Sequence, residues 1–311
     1  MGFTVSLQGC HPATDRARPG RRQVVVASET IERPGIDAEI NYVRNPSPPL
    51  GDVLKFVTEA EEQSTMETLP GRTVRITNAR TLESDLDREG FALVPHTSSI
   101  VDFDLIQDDP AIDQCYIDEM TDLLARVTGA SRAFMLGRGK RRYGEGAKDK
   151  LAPLSNAKPA RYPHADNTDV SATGLVDMVG AFVDGIDLTA YSRYALYNMW
   201  RAVSAPPQDF PLAVCDARTV APLDEVTVTA ITVEKDTGEI THDTTGYLYN
   251  PAHRWYYYQD MTPEEVLVFK AHDTDRRRSI RVPHSAFTDP TCPAGVPTRA
   301  SVEMRGLALF V

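Results

Sequence analysis

After residue 160 the sequence is dominated by short segments that have the features of β-strands. Each segment alternates polar and apolar residues or is rich in apolar ones, and turn residues separate neighbouring segments. The segments are residues 194–203, 212–215, 225–234, 240–249, 254–258, 266–271 and 299–311. A hairpin turn is predicted at 235–238, and a helical stretch is inserted at about 173–190. Many strands with short turns predict a mainly β fold with flanking helices, on a double-stranded β-helix (jelly-roll, cupin-like) core.

The residues before 160 are less regular, and they suggest a division of the chain. Residues 1–45 mix Arg, Pro and Gly and are predicted to form an N-terminal arm, partly extended, with one short strand at 23–27. A Pro-rich passage at 45–49 follows this arm. Residues 46–311 are predicted to form a single jelly-roll domain with helical elements.

Five further elements are predicted between residues 70 and 136. Three are short strands, at residues 73–76, 91–95 and 131–136. A short helix is predicted at 84–89, ending at Gly90. A longer helix is predicted from Pro110 through Val127, because its apolar residues recur at spacings of three and four. Gly129 is a suitable residue to end it.

The charge and cysteine content exclude several classes of protein. The formal net charge is −11, and no basic stripe interrupts it, so nucleic acid and anionic membrane surfaces are unsuitable partners. The four cysteines form no Cys-x-x-Cys pair, which argues against a zinc site or a disulfide framework. No apolar run resembles a secretory signal or a membrane span. We therefore expect a soluble, cytoplasmic protein that acts on a small molecule and forms, if anything, a homo-oligomer.

The stretch from residue 283 to residue 305 contains a histidine, a turn and a strand. Residues 299–305 alternate polar and apolar side chains, so Arg299 and Ser301 are expected on the same face of a strand. His284 lies upstream, across a turn rich in Pro and Gly. This order predicts a metal-binding histidine beside an arginine that binds a carboxylate.

Two further metal ligands are available at His164 and Asp166. On a strand these two residues share a face, so both side chains can reach one ion. With His284 they would complete the two-histidine, one-carboxylate triad that leaves positions open on Fe(II) for a co-substrate and O2. A single His-x-Asp pair is a weak signal by itself, and the spacing alone does not identify the metal site.

Two alternatives stay open from the spacing alone. In the first, His164 and Asp166 cap a loop and His284 is an ordinary buried histidine. In the second, His272 is the distal ligand, followed by the Arg-x-Ser sequence that begins at Arg277. Only residues 273–276 separate this histidine from that arginine, too few for a turn and a returning strand, so His284 is preferred.

Seven short motifs occur in the order in which they recur in one known family. They are Thr128-Gly129-Ala130-Ser131-Arg132, Tyr197-Asn198-Met199-Trp200-Arg201, Pro211-Leu212-Ala213-Val214-Cys215-Asp216, Trp255-Tyr256-Tyr257, Phe269-Lys270, Pro283-His284-Ser285-Ala286-Phe287 and Arg299-Ala300-Ser301-Val302-Glu303-Met304-Arg305. The chain resembles the hydroxylase/desaturase family of specialised metabolism, which includes gibberellin desaturase, AsaB-like and CmcJ-like enzymes. The likeness extends from about residue 70 to the C-terminus.

The resemblance implies a non-haem Fe(II)/2-oxoglutarate-dependent dioxygenase, with O2 as co-substrate. The reaction it implies is hydroxylation, desaturation or oxidative cyclisation of a small natural product. Transferred by motif, the iron ligands and catalytic centre are His164, Asp166 and His284. The 2-oxoglutarate site is Arg299, with Ser301 beside it.

Four other residues are candidates for the pocket. Asn198 is predicted to hydrogen-bond the co-substrate, while Trp200 and Arg201 are predicted to line the substrate site. Tyr162 shares a strand face with His164 and is predicted to border the same pocket. Two rival functions remain: a cupin-like metalloenzyme of isomerase type that does not use 2-oxoglutarate, and a jelly-roll binding module without catalysis.

Overall fold

The computed structural model describes residues 34–45, 54–57, 63–144, 146–147, 158–183, 185–234 and 238–311. Three predicted features lie outside these residues: the strand at 23–27, the Pro-rich passage after residue 45, and the tip of the hairpin at 235–237. The described part contains fifteen strands and two α-helices. It is therefore mainly β, as the sequence predicts.

The elements are numbered in chain order. The strands are β1 (Gly35–Ile40), β2 (Leu54–Val57), β3 (Arg72–Asn78), β4 (Phe91–Pro95), β5 (Arg132–Met135), β6 (Lys140–Tyr143), β7 (His164–Ala165), β8 (Arg193–Ala202), β9 (Leu212–Cys215), β10 (Glu225–Glu234), β11 (Gly238–Tyr247), β12 (Trp255–Tyr257), β13 (Glu265–Asp273), β14 (His284–Ala286) and β15 (Ala300–Phe310). The helices are α1 (Pro110–Thr128) and α2 (Asp169–Phe182). Short 3-10 helices occupy Ala79–Thr81, Phe103–Leu105, Leu188–Ala190, Ala217–Thr219 and Pro222–Asp224.

The strands form two sheets. The larger has nine strands in the order β1-β3-β12-β9-β14-β7-β11-β10-β2, and the smaller has six, β4-β13-β8-β15-β5 with β6 also paired to β15. Most neighbouring strands are antiparallel; β2 with β10 and β12 with β3 are the parallel pairs. Two large, mostly antiparallel sheets confirm the jelly-roll prediction. β1, which lies within the predicted arm, pairs with β3 along its length; the division of the chain at residue 45 stays a prediction.

The side chains between the two sheets come from both of them. Trp200 and Phe269 of the smaller sheet pack with Leu212 and Val214 of the larger one. Because strand residues alternate between faces, the neighbours of these residues point the other way. Val268, next to Phe269, accordingly packs with the residues of α1. The smaller sheet thus has two covered faces, and the inner one is available for a site.

Helix α1 forms where its sequence predicts and covers the outer face of the smaller sheet. The Asp109 side chain accepts a hydrogen bond from the Ala111 N–H, and Pro110 occupies the first turn. Gly129 ends the helix with φ of 67°, a left-handed conformation that glycine adopts without strain. Leu124 on the inner side of the helix is fully buried, so α1 is held by apolar packing.

Leu124→Ala is expected to lower the free energy of unfolding by about 2–5 kcal/mol, because it leaves a cavity under α1. Chemical denaturation followed by circular dichroism measures this loss. Asp122→Ala, on the exposed side of the same helix, is the matched control and should change stability by less than about 0.5 kcal/mol. Equal losses for the two variants would contradict this account of the helix.

The short helix predicted at residues 84–89 is wrong, because the segment forms turns. The Asp85 side chain accepts hydrogen bonds from the main-chain N–H groups of Asp87 and Arg88. The Glu89 side chain in turn accepts one from the Asp85 N–H. The main-chain N–H groups of Arg88, Glu89 and Gly90 all donate to the one carbonyl oxygen of Asp85, so the backbone forms a turn and does not continue as a helix.

The inserted helix exists, but its predicted bounds of 173–190 are displaced. Helix α2 starts earlier because Thr168 and Ser171 form a reciprocal capping box. It ends at Phe182, and a separate 3-10 helix covers Leu188–Ala190. Among the described residues, neither α1 nor α2 has the length and apolar character needed to cross a bilayer.

Candidate metal centre and co-substrate pocket

The larger sheet brings together the two histidines and the carboxylate predicted as ligands. β7 and β14 are neighbours, and His164 and His284 are directly opposite each other in the ladder. Asp166 follows β7 immediately. One ligand atom from each of the three side chains lies within 4.8 Å of the others. Residues far apart in the chain thus meet in one cluster, as the sequence predicts.

Both histidine rings are oriented by main-chain carbonyl groups. His164 Nδ1 lies 2.9 Å from the Tyr162 carbonyl oxygen, and His284 Nδ1 lies 3.2 Å from that of Val282. A carbonyl only accepts, so each Nδ1 carries the proton and donates it. Each Nε2 therefore keeps its lone pair, the form in which imidazole binds a metal.

Burial keeps these imidazoles neutral. The pKa of His164 is lowered to about 4, mainly by burial and in second place by the neighbouring His284. Burial also lowers the pKa of His284. The two ring centroids are 4.3 Å apart, close enough that two imidazolium charges would repel. Neutral rings at neutral pH are the form that a metal requires.

Asp166 is held as a carboxylate by two side chains. Its Oδ1 accepts a hydrogen bond from Arg305 Nη2 at 2.8 Å, and its Oδ2 accepts one from Asn198 Nδ2 at 2.5 Å. Burial by itself raises the pKa of Asp166, but the charge of Arg305 and the hydrogen bond from Asn198 lower it, and the pKa lies below its ordinary value. Asp166, the third candidate metal ligand, is therefore ionised and fixed in orientation.

Arg299 supplies a buried cation in the same pocket. The side chain is 1 % exposed, and its Nε and Nη2 have no hydrogen-bond partner among the described residues. Its guanidinium lies over the Trp200 ring, 5.6 Å from the centroid. Burial lowers the pKa of Arg299 to about 10, an effect that the nearby Glu303 opposes.

The unpaired donors of this pocket suit an acid. A buried guanidinium with unpaired N–H groups is costly unless a carboxylate joins it. Ser301, two residues after Arg299, also has a buried hydroxyl without a partner among the described residues, but it does not line the cavity itself. His164, Asp166, His284 and Arg299 line one common cavity. The residues present therefore fit a metal ion together with a dicarboxylic acid.

Three charged side chains at the candidate site are not among the predicted site residues. Glu303 lines the same cavity as Arg299, and Arg142 Nη2 donates to Glu303 Oε1 at 2.6 Å. Arg305 holds Asp166, as described above. The alternation that linked Arg299 to Ser301 continues to residues 303 and 305, so extending it along β15 would have found two of the three.

The predicted role of Arg201 is wrong, whereas Tyr162 and Trp200 border the site. Trp200 lines the cavity of Arg299, and Tyr162 lines an adjoining cavity with His164. Arg201 points to the opposite face of β8, where its Nε donates to the Tyr116 hydroxyl of α1 at 3.2 Å. Its Nη1 donates to main-chain carbonyl oxygens. Because consecutive residues of a strand face opposite sides, Trp200 faces the cavity and Arg201 faces α1.

The alternative based on His272 and Arg277 is not assembled as a site. His272 Nδ1 faces the Asp169 carboxylate at 3.5 Å, away from the cluster of His164 and Asp166. The Arg277 side chain is 88 % exposed and pairs with Asp275 two residues earlier. Arg277 therefore lies on the exposed surface of a turn. The preference for His284 and Arg299 therefore agrees with the geometry.

Two histidines and one carboxylate on a jelly-roll core, beside a buried arginine, define a class of protein. They are the arrangement of non-haem iron oxygenases that use a 2-oxo acid. A family model described as "Oxidoreductase/YMDC permease-like domain" matches residues 40–309. The chain belongs to the family of non-haem Fe(II)/2-oxoglutarate-dependent hydroxylase/desaturases. The family expected from the motifs is thus confirmed.

Fungal relatives of known class extend over most of the chain. It is 31 % identical to the hydroxylase/desaturase CTB9 of Cercospora beticola, over 97 % of this chain and 94 % of the relative. It is 28 % identical to the hydroxylase/desaturase efuI of Hormonema carpetanum, over 90 % of this chain and 97 % of the relative. A solved structure of the iron and alpha-ketoglutarate-dependent endoperoxidase NvfI superposes with a TM-score of 0.75 and 26 % identity, covering 90 % of this chain and 99 % of that one.

Proposed function

We propose that this chain holds Fe(II) through His164, Asp166 and His284 and binds 2-oxoglutarate through Arg299, with Ser301 beside it. The observation that carries the proposal is the buried guanidinium of Arg299, which lacks an acid partner among the described residues and shares a cavity with the three donors. The substrate is a small natural product. When bound, Fe(II) with 2-oxoglutarate and O2 supplies the oxidising power to break a C–H bond.

The side chains of the pocket bind and orient the reactants. The two imidazoles present Nε2 lone pairs, and Asp166 completes the ligand set as an ionised carboxylate fixed by Asn198 and Arg305. The planar fork of Arg299 suits two parallel hydrogen bonds to the far carboxylate of 2-oxoglutarate. We assign Asn198 to positioning Asp166, because its Nδ2 donates to Asp166 Oδ2; its hydrogen bond to the co-substrate stays a prediction.

Apolar side chains form part of the wall of the pocket. Trp200, Leu212 and Phe269 line the cavity beside the three donors. Their contribution to the wall lowers the local dielectric constant, which strengthens the electrostatic contacts inside. Hydroxylation, desaturation or oxidative cyclisation then depends on where the substrate carbon is held. We place the enzyme in the cytoplasm, without nucleic acid or membrane partners; a homo-oligomer stays a prediction.

Anaerobic spectroscopy tests the co-substrate assignment. Purified protein mixed with Fe(II) and 2-oxoglutarate should give the weak visible absorption band of a 2-oxo acid chelated to iron. Admission of air should then release succinate. Fe(II) binding without the band at saturating 2-oxoglutarate would favour the isomerase-type metalloenzyme. Failure to bind Fe(II) at all would favour the binding module.

A further inference from the structure

A second cavity lies beside the metal site. This outer cavity, of about 320 Å³, lies where β6, α2 and β11 meet. It shares several residues, among them His242 and Arg305, with a smaller cavity whose lining also includes His164 and Asp166. The outer cavity is therefore continuous with the metal centre. Its volume is within the range of small-molecule sites, about 300–1,000 Å³.

One wall of the outer cavity is apolar. Leu175 and Met178 of α2 and Ile240 of β11 line it. Met178 is 46 % exposed and Ile240 is 40 % exposed, so both large side chains keep apolar surface that no described residue covers. Burying that surface against the hydrocarbon part of a ligand would be favourable, because it removes apolar area from water. The wall therefore suits a largely apolar small molecule.

Asn167 supplies a buried, uncharged polar group in the same cavity. The residue is 3 % exposed and lines the outer cavity, and its side-chain amide makes no hydrogen bond to a described residue. An amide offers two donor hydrogens and an acceptor oxygen, and leaving them unpaired in a buried position is unfavourable. A carbonyl or hydroxyl group of a bound molecule would supply the missing partner.

The main chain of Asn167 is held between the metal centre and α2. Its carbonyl oxygen accepts a hydrogen bond from the Thr245 hydroxyl at 3.0 Å. Asp166 precedes it in the metal cluster, and Thr168 follows it as the N-terminal cap of α2. The amide is therefore carried on a fixed segment next to a metal donor. A residue that orients a substrate toward the metal requires such a position.

His242 is a second uncharged polar group, at the junction of the two cavities. It lines the outer cavity and also the smaller one that contains His164. Neither of its ring nitrogens makes a hydrogen bond within the part of the chain that the structure describes. Burial, and in second place the charge of Arg305, lower the pKa of His242. The neutral ring therefore offers one donor and one acceptor where the outer cavity meets the metal site.

We propose that the outer cavity binds the substrate, and that the substrate is a largely apolar small molecule with a carbonyl or hydroxyl group that hydrogen-bonds to Asn167 and His242. The apolar body lies against α2 and Ile240. Recognition of the polar group is by hydrogen bonds between uncharged partners. This inference rests on the proposed oxygenase function, since it names the substrate class of the same site. The two are tested separately, because ligand binding in this cavity needs neither iron nor 2-oxoglutarate.

Two uncharged fluorescent probes, one with a carbonyl group and one without, test the proposal on the purified protein without added iron. They are 6-propionyl-2-(dimethylamino)naphthalene and N,N-dimethyl-2-naphthylamine, which lacks the propionyl group. Asn167→Leu should weaken binding of the carbonyl probe by about two- to tenfold, the effect of one lost hydrogen bond between neutral groups. It should not weaken binding of the carbonyl-free probe, because leucine is apolar and similar in size to asparagine. His242→Phe should give the same pattern.

A substitution on the apolar wall shows whether the probes occupy the outer cavity. Met178→Glu places a charge on that wall at an exposed position of α2, so the fold should be kept. Both probes should bind at least about fivefold more weakly. Val170→Glu is the matched control, because Val170 is an apolar residue of the same helix that is 78 % exposed and does not line the outer cavity. It should change neither affinity.

The melting temperature of each variant shows whether it folds, and Asn167→Ala replaces Asn167→Leu if the leucine variant does not. If the Asn167 variant or His242→Phe left the affinity for the carbonyl probe unchanged, the proposal would be wrong. Equal losses for the two probes in a folded Asn167 or His242 variant would also overturn it, as would normal binding to Met178→Glu. The expected probe binding without the iron and 2-oxoglutarate band would instead count against the proposed oxygenase function alone.

Discussion

Asp166→Ala is expected to abolish turnover and to weaken Fe(II) binding by more than about 100-fold. It removes one of three protein ligands, and loss of a residue that only orients a ligand already costs about 10- to 100-fold in comparable sites. The loss should be larger here because Asp166 is the anionic donor of the set. Anaerobic calorimetric titration of Fe(II) into the metal-free variant measures this directly, and His284→Ala should behave in the same way.

His272→Ala is the matched control for the metal centre. His272 is a buried histidine like His284, yet it faces Asp169 instead of the cluster. Its removal should leave Fe(II) affinity close to that of the unmodified protein. The melting temperature of each variant shows whether it folds. If His272→Ala lost the metal while His284→Ala kept it, the ligand assignment would be wrong.

Arg299→Ala is expected to raise the 2-oxoglutarate concentration needed for half-saturation by about 30- to several thousand-fold. Removing one partner of a buried charged pair costs about 2–5 kcal/mol. Fe(II) affinity should hardly change, because Arg299 is not among the three donors. Anaerobic titration of 2-oxoglutarate into the iron-loaded variant, followed by the visible band, gives the affinity without turnover.

Two further arginine variants decide whether the effect is specific. Arg299→Lys should recover only part of the loss, since an ammonium cannot reproduce two parallel hydrogen bonds. Arg277→Ala removes an arginine that is also followed by x-Ser but is exposed, and it should leave the requirement unchanged. An unchanged requirement in Arg299→Ala, with a large rise in Arg277→Ala, would move the co-substrate site to the turn after β13.

Local periodicity was sufficient to predict most of the elements, whereas the assignment of the candidate site depended on the resemblance to a known family. The period of two predicts a common face for Ser301 of β15 and Arg299, which immediately precedes that strand, and a spacing of three and four identifies α1. The pairing of His164 with His284 was predictable only with a family pattern, because strand order in a jelly roll is not local in sequence. From spacing alone, an equally good interpretation was that His164 caps a loop and that His284 is an ordinary buried histidine.

Two of the errors have different physical origins. Residues 84–89 have a helical composition, but the Asp85 and Glu89 side chains accept hydrogen bonds from main-chain N–H groups and the segment closes into a turn. Arg201 was assigned to the pocket from its motif, although its position next to Trp200 requires the opposite face. Its burial against Tyr116 of α1 depends on tertiary packing, which no local pattern contains.

The hydrogen bonds of the two histidine rings affect how the centre tolerates mutation. Their acceptors are main-chain carbonyl oxygens, so no single substitution deletes either one. The orientation of Asp166, by contrast, depends on the side chains of Asn198 and Arg305, each of which one codon change can remove. Over evolutionary time, the imidazole geometry is thus inherited with the backbone. The strength and direction of the carboxylate ligand are the part of the centre that selection can adjust one residue at a time.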